Sequence, residues 1–355
     1  MGEEAATGLR EGDLGRVGTV GGQLWDSFRA ASEQARAYGD GLSRVIRMLA
    51  LTPGRPSLEQ LIRLMEQHGT SVNQRMNERF IASLLAEGQR PADLVELLYT
   101  HGRRDGLDEL RSCLFHELLL RGADVSSLRL SGRYGWSALT WLPQHLRPFE
   151  TDAPFPTRKA DGSGAGGVWT GSTGADRLEP ATPRPQARLP LPDRATVEVH
   201  EAIVAAPTAG DFGCSGAWVF APEEPMDPDL VPALVPDLPM PCVEGLGAEG
   251  RFEISRQSLA EIWRMLFSTA SEGGVYAPGA HGAYGRRAAW WSLAGLSGAP
   301  LDATAEEVER HAVQSTWFRF ECDTEWFHNE IYDYGIVALS PDRRRISVLA
   351  VTDTD

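Results

Sequence analysis

Residues 316–351 read TWFRFECDTEWFHNEIYDYGIVALSPDRRRISVLAV, and their periodicity decides the fold class. Three short runs rich in β-branched and aromatic residues, Thr316–Glu321, Gly335–Leu339 and Ile346–Val351, have the composition and length of strands. Ser340-Pro341-Asp342-Arg343 separates the last two, and there proline pre-sets φ while the aspartate offers a local acceptor. That combination predicts a hairpin. Upstream, helical stripes alternate with further strand candidates. Leu259, Ile262, Trp263, Leu266 and Phe267 share one face of a helix expected to begin at Ser255, and another helix is expected over residues 285–296. Thr304 and Glu307 form a capping box that opens a third. Val197–Val204 alternates apolar and polar residues and predicts a strand, as does Ala217–Phe220. The prolines of PDLVPALVPDLPMP (228–241) allow no more than a short helical turn. Strands and helices without regular βαβ alternation make residues 196–355 a mixed α+β domain.

The front of the chain differs in period. Residues 1–22 are rich in Gly and Glu and predict a loose tail; residues 23–150 predict an array of antiparallel helices with short connections. Leu42, Val45, Ile46 and Leu49 make one stripe, and Leu58, Leu61, Ile62 and Met65 another. Ser57 with Gln60, and Ser71 with Gln74, read as capping boxes. Pro91 fits a first helical turn, and a helix is expected from Asp105 to a C-terminal cap at Gly122. LLLRGADV (118–125) resembles the closing helix of an ankyrin repeat, but the T-P-L-H opening is missing and the L-L…G echoes are unequally spaced. The expectation is an irregular bundle, followed by a strand or loop around residues 133–142. Residues 151–195, with many prolines and the run GSGAGG, predict a linker or surface insertion.

Composition narrows the chemistry. A length of 355 residues fits two domains. No stretch reaches the roughly 18–20 apolar residues of a membrane span. The acidic start Met1-Gly2-Glu3-Glu4 does not match a secretory signal, and Thr7 does not complete a myristoylation motif at Gly2. A net charge of −15 opposes broad phosphate neutralisation, so nucleic acid is not the expected partner. Cys113, Cys214, Cys242 and Cys322 are widely spaced, as reduced thiols in the cytoplasm would be. A single lysine, Lys159, stands against 33 arginines, the signature of codon bias in a GC-rich genome. It sits in no motif, so P-loop, protein-kinase and pyridoxal chemistries, each of which needs a placed lysine, are excluded.

The strings GGVYAPGAHGAYGRRAAWWSLAGL (273–296), STWFRFECDTEWFHNEIYDYGIVAL (315–339) and VLAVTDTD (348–355) resemble an uncharacterised actinobacterial protein family defined by a domain of unknown function. The resemblance is strongest over residues 273–355. It implies a bacterial cytoplasmic protein and brings no activity or functional residue with it.

Two constellations could carry chemistry. Glu321, Asp323, Glu325, His328, Glu330 and Asp333 place carboxylates and a histidine at short spacings; His328, Asp333 and Glu321 are the residues an acid/base or metal-assisted site would use if the fold converged them. The alternative is a solvated acidic loop with His328 packed on Trp326 or Phe327. Gly279-x-x-Gly282-x-x-Gly285-Arg286-Arg287 enters a helix, where Gly282 and Gly285 would let amides approach an anion and Arg286 and Arg287 would clamp it. The bland alternative is a loop with solvated arginines. Cys113 and His116 share a helix face but read as core, and Cys214 has no identifiable base. No G-x-S-x-G elbow and no H-E-x-x-H helix occurs. No metal set or cofactor is named by these patterns. Trp290 and Trp291, about 100° apart on a helix, predict either two core residues or one core residue and one that covers a groove or a partner.

Two functional readings remain. The favoured one is a non-catalytic interaction or regulatory protein whose acidic surface suits a basic protein partner. The other is an acid/base or metal-assisted enzyme using His328, Asp333 and Glu321, with an anion held by Arg286 and Arg287.

Overall fold

The computed structural model describes residues 2–30, 35–68, 77–100, 106–126, 128, 137–155, 157–158, 164–165, 179–180, 195–246, 250–274, 277–327 and 333–353. It divides into two units. The first comprises Met1–Thr140, Phe155–Gly167 and His281–Ala283; the second comprises Trp141–Pro154, Val168–Ala280 and Tyr284–Asp355. The chain is α+β: its N-terminal part is helical and its C-terminal part contains an antiparallel sheet.

The first unit contains α1 (Gly2–Arg10), α2 (Leu14–Ala30), α3 (Ala35–Leu51), α4 (Arg55–His68), α5 (Glu78–Gly88), α6 (Pro91–Val95) and α7 (Asp108–Leu120). A short pair, β1 (Thr157–Arg158) with β2 (Gly164–Ala165), also belongs to it. The expected loose tail is instead two helices. Val17, Val20, Gly21 and Leu24 bury a stripe at helical spacing, and the glycines that weaken propensity here permit close packing. A Cβ on Gly21 would lie 3.1 Å from Val45 and 3.2 Å from Leu64. α4 begins at Arg55, ahead of the expected Ser57 cap, and the Ser57 hydroxyl donates back to the Thr52 and Gly54 carbonyls. The Ser71–Gln74 box lies outside the described residues; α5 is capped by Asn77, which accepts from the Arg79 and Phe80 amides. Pro91 does open α6, which runs on as a π-helical turn over Glu96–Thr100. Gly122 (φ 74°) closes α7, with the Ala123 amide donating to the Leu118 carbonyl and the Gly122 amide to that of Leu119.

The second unit is organised by a sheet of order β3-β5-β6-β7-β8-β4, antiparallel throughout. Its strands are β3 (Glu179–Pro180), β4 (Cys214–Phe220), β5 (Phe252–Gln257), β6 (Thr316–Cys322), β7 (Tyr334–Leu339) and β8 (Ile346–Thr352). The hairpin is as expected: Leu339 pairs with Ile346, and the Arg343 amide donates to the Ser340 carbonyl. On one face Phe252, Ile254, Phe318, Phe320, Val337, Val348 and Phe220 pack against the proline-punctuated segment that includes α10 (Val231–Leu234). To the other face belong α11 (Leu259–Glu272) and α13 (Ala305–Gln314): Thr269 hydrogen-bonds Tyr334, and the Trp317 indole donates to the Ala312 carbonyl.

Two expectations fail here. Val197–Val204 is not a strand but α8 (Val197–Ile203), continued by α9 (Ala205–Ala209). Its buried residues, Ala202, Ile203 and Ala206, follow helical spacing, while Val197 of the alternating pattern is 68% exposed. Residues 252–257 form β5, so α11 starts four residues later than expected, after Ser258, whose side chain accepts from the Glu261 amide. α12 (His281–Ser297) completes the set, and the Thr304 capping box at α13 is present.

Candidate functional site

α12 carries the glycine-arginine sequence, and the structure shows what surrounds each of its groups. At the helix start the Glu117 carboxylate accepts the Ala283 amide at 3.2 Å and pairs with Arg121. Glu117 is fully buried. The positive end of the helix therefore already holds an anion, one supplied by α7. A Cβ on Gly282 would fall 2.7 Å from the Glu117 carboxylate, and one on Gly285 would fall 2.7 Å from the Ser271 Cβ. Both glycines are there for close packing.

Arg286 is 0% exposed. Its Nε and Nη2 donate to the two oxygens of Glu150 at 2.7 and 2.8 Å, its Nη1 to the Pro143 carbonyl at 2.9 Å, and its Nη2 also to the His145 carbonyl at 3.2 Å. Glu150 further accepts the Trp290 indole at 2.7 Å and the Arg147 amide at 2.9 Å. This buried pair has its hydrogen-bonding capacity taken up internally, and it ties residues 143–150 to α12. Arg287 is half-buried, with its guanidinium 5.3 Å from the Trp291 ring centre. The structure thus directs the two arginines to different places.

Of the acidic constellation, Glu321 and Asp333 can be placed. His328 lies outside the described residues. Glu321 sits on β6, half-buried, paired with Arg319 and opposite Glu253. Asp333 is buried and immediately precedes β7. Phe320 pairs with Gly335, so the same register carried two steps on sets Asp333 opposite Cys322. Successive residues alternate faces, which assigns Glu321 and Asp333 to opposite faces of the sheet. Among the described residues, no group of three His, Cys, Asp or Glu side chains is placed to hold a metal ion. Cys113 and His116 are both in the α7 core; burial, with Glu109 and Glu117 nearby, raises the Cys113 thiol well above its usual range. Cys214 is an exposed free thiol at the start of β4.

A feature that the sequence reading did not locate adjoins α12. A shallow hollow of about 30 Å³ lies beside its C-terminal half. Ala202, Ala294, Gly295, Ala299 and Ala303 leave the space; Trp141, Trp291, Leu301 and Val308 wall it. Gly295 also lets α8 approach, since a Cβ there would lie 2.7 Å from the Ile203 nitrogen, and the Ala206 amide donates to Ser292. The Trp141 indole donates to the Ala303 carbonyl at 3.1 Å, fixing that ring 5.9 Å from Trp291 and 6.2 Å from Trp290. Trp290 is fully buried and Trp291 half-buried, so one of the adjacent tryptophans fills the core while the other borders the hollow. That pair was its one sequence signal.

Residues 1–355 match a family of unknown function, DUF6183. The chain belongs to that family. No curated protein and no solved structure matches it. Within DUF6183, then, function has to be argued from this geometry. Among the described residues no helix is long and apolar enough to cross a membrane.

Proposed function

We propose that this DUF6183 member is a binding protein whose α+β unit receives an apolar side chain of a protein partner in the hollow walled by Trp141 and Trp291, and that it works in the reducing cytoplasm. The observation that carries the reading is the hollow itself. Its space is about 30 Å³, room for the tip of one side chain rather than for a small-molecule ligand, its floor is of small residues, and Leu301 at its edge is 51% exposed. Aromatic walls around a preformed apolar socket are what anchor residues of protein interfaces use. The arginine and the helix start that an anionic substrate would need are engaged with Glu150 and Glu117.

Selection of a displayed peptide library against the protein tests this. Peptides that bind the parent chain should share an apolar residue and should lose binding to Ala303→Leu, which fills the hollow. Binders indifferent to Ala303→Leu would refute the reading.

A further inference from the structure

The two edges of the sheet are finished differently. β3, at one edge, is two residues long and ends in a proline, a device that discourages further pairing. β4, at the other, pairs with β8 over all seven of its residues without a bulge, and its sequence, CSGAWVF, holds no charge and no proline. The register also fixes which of its groups face outward. The Ser340 amide donates to the Arg345 carbonyl, so Arg345 turns toward β7. Alternation along β8 then turns Ile346, Val348, Ala350 and Thr352 toward β4, where they meet Phe220, Trp218, Gly216 and Cys214. Ser215 and Ala217 are left presenting N–H and C=O away from β8. Among the described residues no group hydrogen-bonds them there. Cys214 is exposed and residues 215–218 are half-buried, so this stretch of the edge is open.

We infer that the edge receives an extended segment of a partner protein as a further strand, with an uncharged core and lysine or arginine at both ends. Unpaired groups that repeat every second residue, roughly 7 Å apart, are satisfied together only by another extended backbone. Charge selects the flanks. Exposed Asp211 and Glu224 lie three and four residues beyond the two ends of β4, and neither forms an ion pair with a described residue, on a chain of net charge −15. The Trp218 indole lies over Gly216, where a Cβ would fall 2.2 Å from it, and gives the added strand an aromatic surface on that face. A second copy of this chain is the poorer occupant: self-pairing centred on Ala217 would bring Asp211 of each copy toward Glu223 of the other, acid against acid. The inference goes beyond the binding reading above and does not rest on it.

The test uses the full chain and four fluorescein-labelled peptides. Three share an alternating valine–threonine core flanked by lysine and arginine, by glutamine, or by glutamate. The fourth is the basic peptide N-methylated at every core amide, which keeps its charge and side chains but cannot form the ladder. Fluorescence anisotropy should show the basic peptide binding about tenfold tighter than the glutamine peptide, and the glutamate peptide weakest. The N-methylated peptide should bind about tenfold more weakly than its parent. Ala217→Pro removes an outward N–H that β8 does not use, where an edge strand tolerates proline, and should weaken basic-peptide binding similarly with Tm near the parent's. Should that variant not fold, the N-methylated peptide decides alone. Ala303→Leu should leave binding unchanged. Equal binding of the basic and N-methylated peptides would overturn the inference, as would equal binding of the basic and glutamine peptides or no binding by any. Binding lost in Ala303→Leu and kept in Ala217→Pro would also overturn it, and would leave the hollow reading standing. A dimer in sedimentation that Ala217→Pro dissociates would give the edge to a second copy instead.

Discussion

Arg286 with Trp290 and Arg287 with Trp291 are the same two side chains at the same i, i+4 spacing, one position apart on α12, yet they meet opposite surroundings. The first pair is sealed: Arg286 and Trp290 are both 0% exposed and both donate to Glu150. The second is half-buried at the edge of a hollow, and the Arg287 Nε and Trp291 Nε1 have no hydrogen-bond partner among the described residues. A rotation of about 100° separates a lock from a socket. Residue type did not decide between them; the element packed opposite each face did. Glu150 faces one side, and the alanines of residues 299–303 face the other.

The largest effect that separates the faces should come from Glu150→Ala. It strands the Arg286 guanidinium in the interior, and unfolding in guanidinium chloride should show a loss of about 3–5 kcal/mol. Arg287→Ala should cost no more than about 1 kcal/mol by the same measurement. Equal losses would break the comparison. Next in size, Trp290→Phe removes the indole donor from a buried carboxylate and should cost about 1.5–3 kcal/mol, whereas Trp291→Phe should stay near zero. Gly295→Ala introduces a Cβ 2.7 Å from the Ile203 nitrogen, and the resulting overpacking should cost about 1–3 kcal/mol in thermal denaturation. Ala303→Leu also belongs at the small end, within about 1 kcal/mol of the parent, because part of the added volume enters the hollow. A loss as large as that of Glu150→Ala would show that the hollow is no receptacle.

Much of the fold was legible because local pattern and tertiary role agree. The residues of β6, β7 and β8 and the Pro341-Asp342 turn each say strand or turn without help, and Thr304 with Glu307 marks α13. Legibility failed where two patterns coexist. Val197-Glu198-Val199-His200-Glu201 alternates like a strand, but Ala202, Ile203 and Ala206 supply the helical stripe that is buried. Extending the helical stripe of residues 259–267 back to Ser255 concealed β5, because the helix is capped only at Ser258. In α2 the glycines masked a stripe by their low propensity, although it is their missing side chains that let α3 and α4 close on it.

The site was harder to read, because its partners are distant in sequence. Arg286 meets a carboxylate 136 residues away, and the Ala283 amide meets one 166 residues away. A glycine-rich, arginine-bearing helix start looks the same on paper whether a ligand or the protein's own glutamates complete it. The hollow is defined by small residues from α8, α12 and the turn after it, and the absence of side-chain volume has no motif.

The order of the sheet has a consequence for how the protein is made. β8 lies between β7 and β4, and among the described residues β4 pairs with no other strand. Residues 214–220 must therefore wait through the synthesis of more than a hundred further residues before residues 346–352 arrive to pair with them. During that interval an incomplete sheet presents open edges on the ribosome, where a slow, non-local closure leaves nascent chains vulnerable to one another.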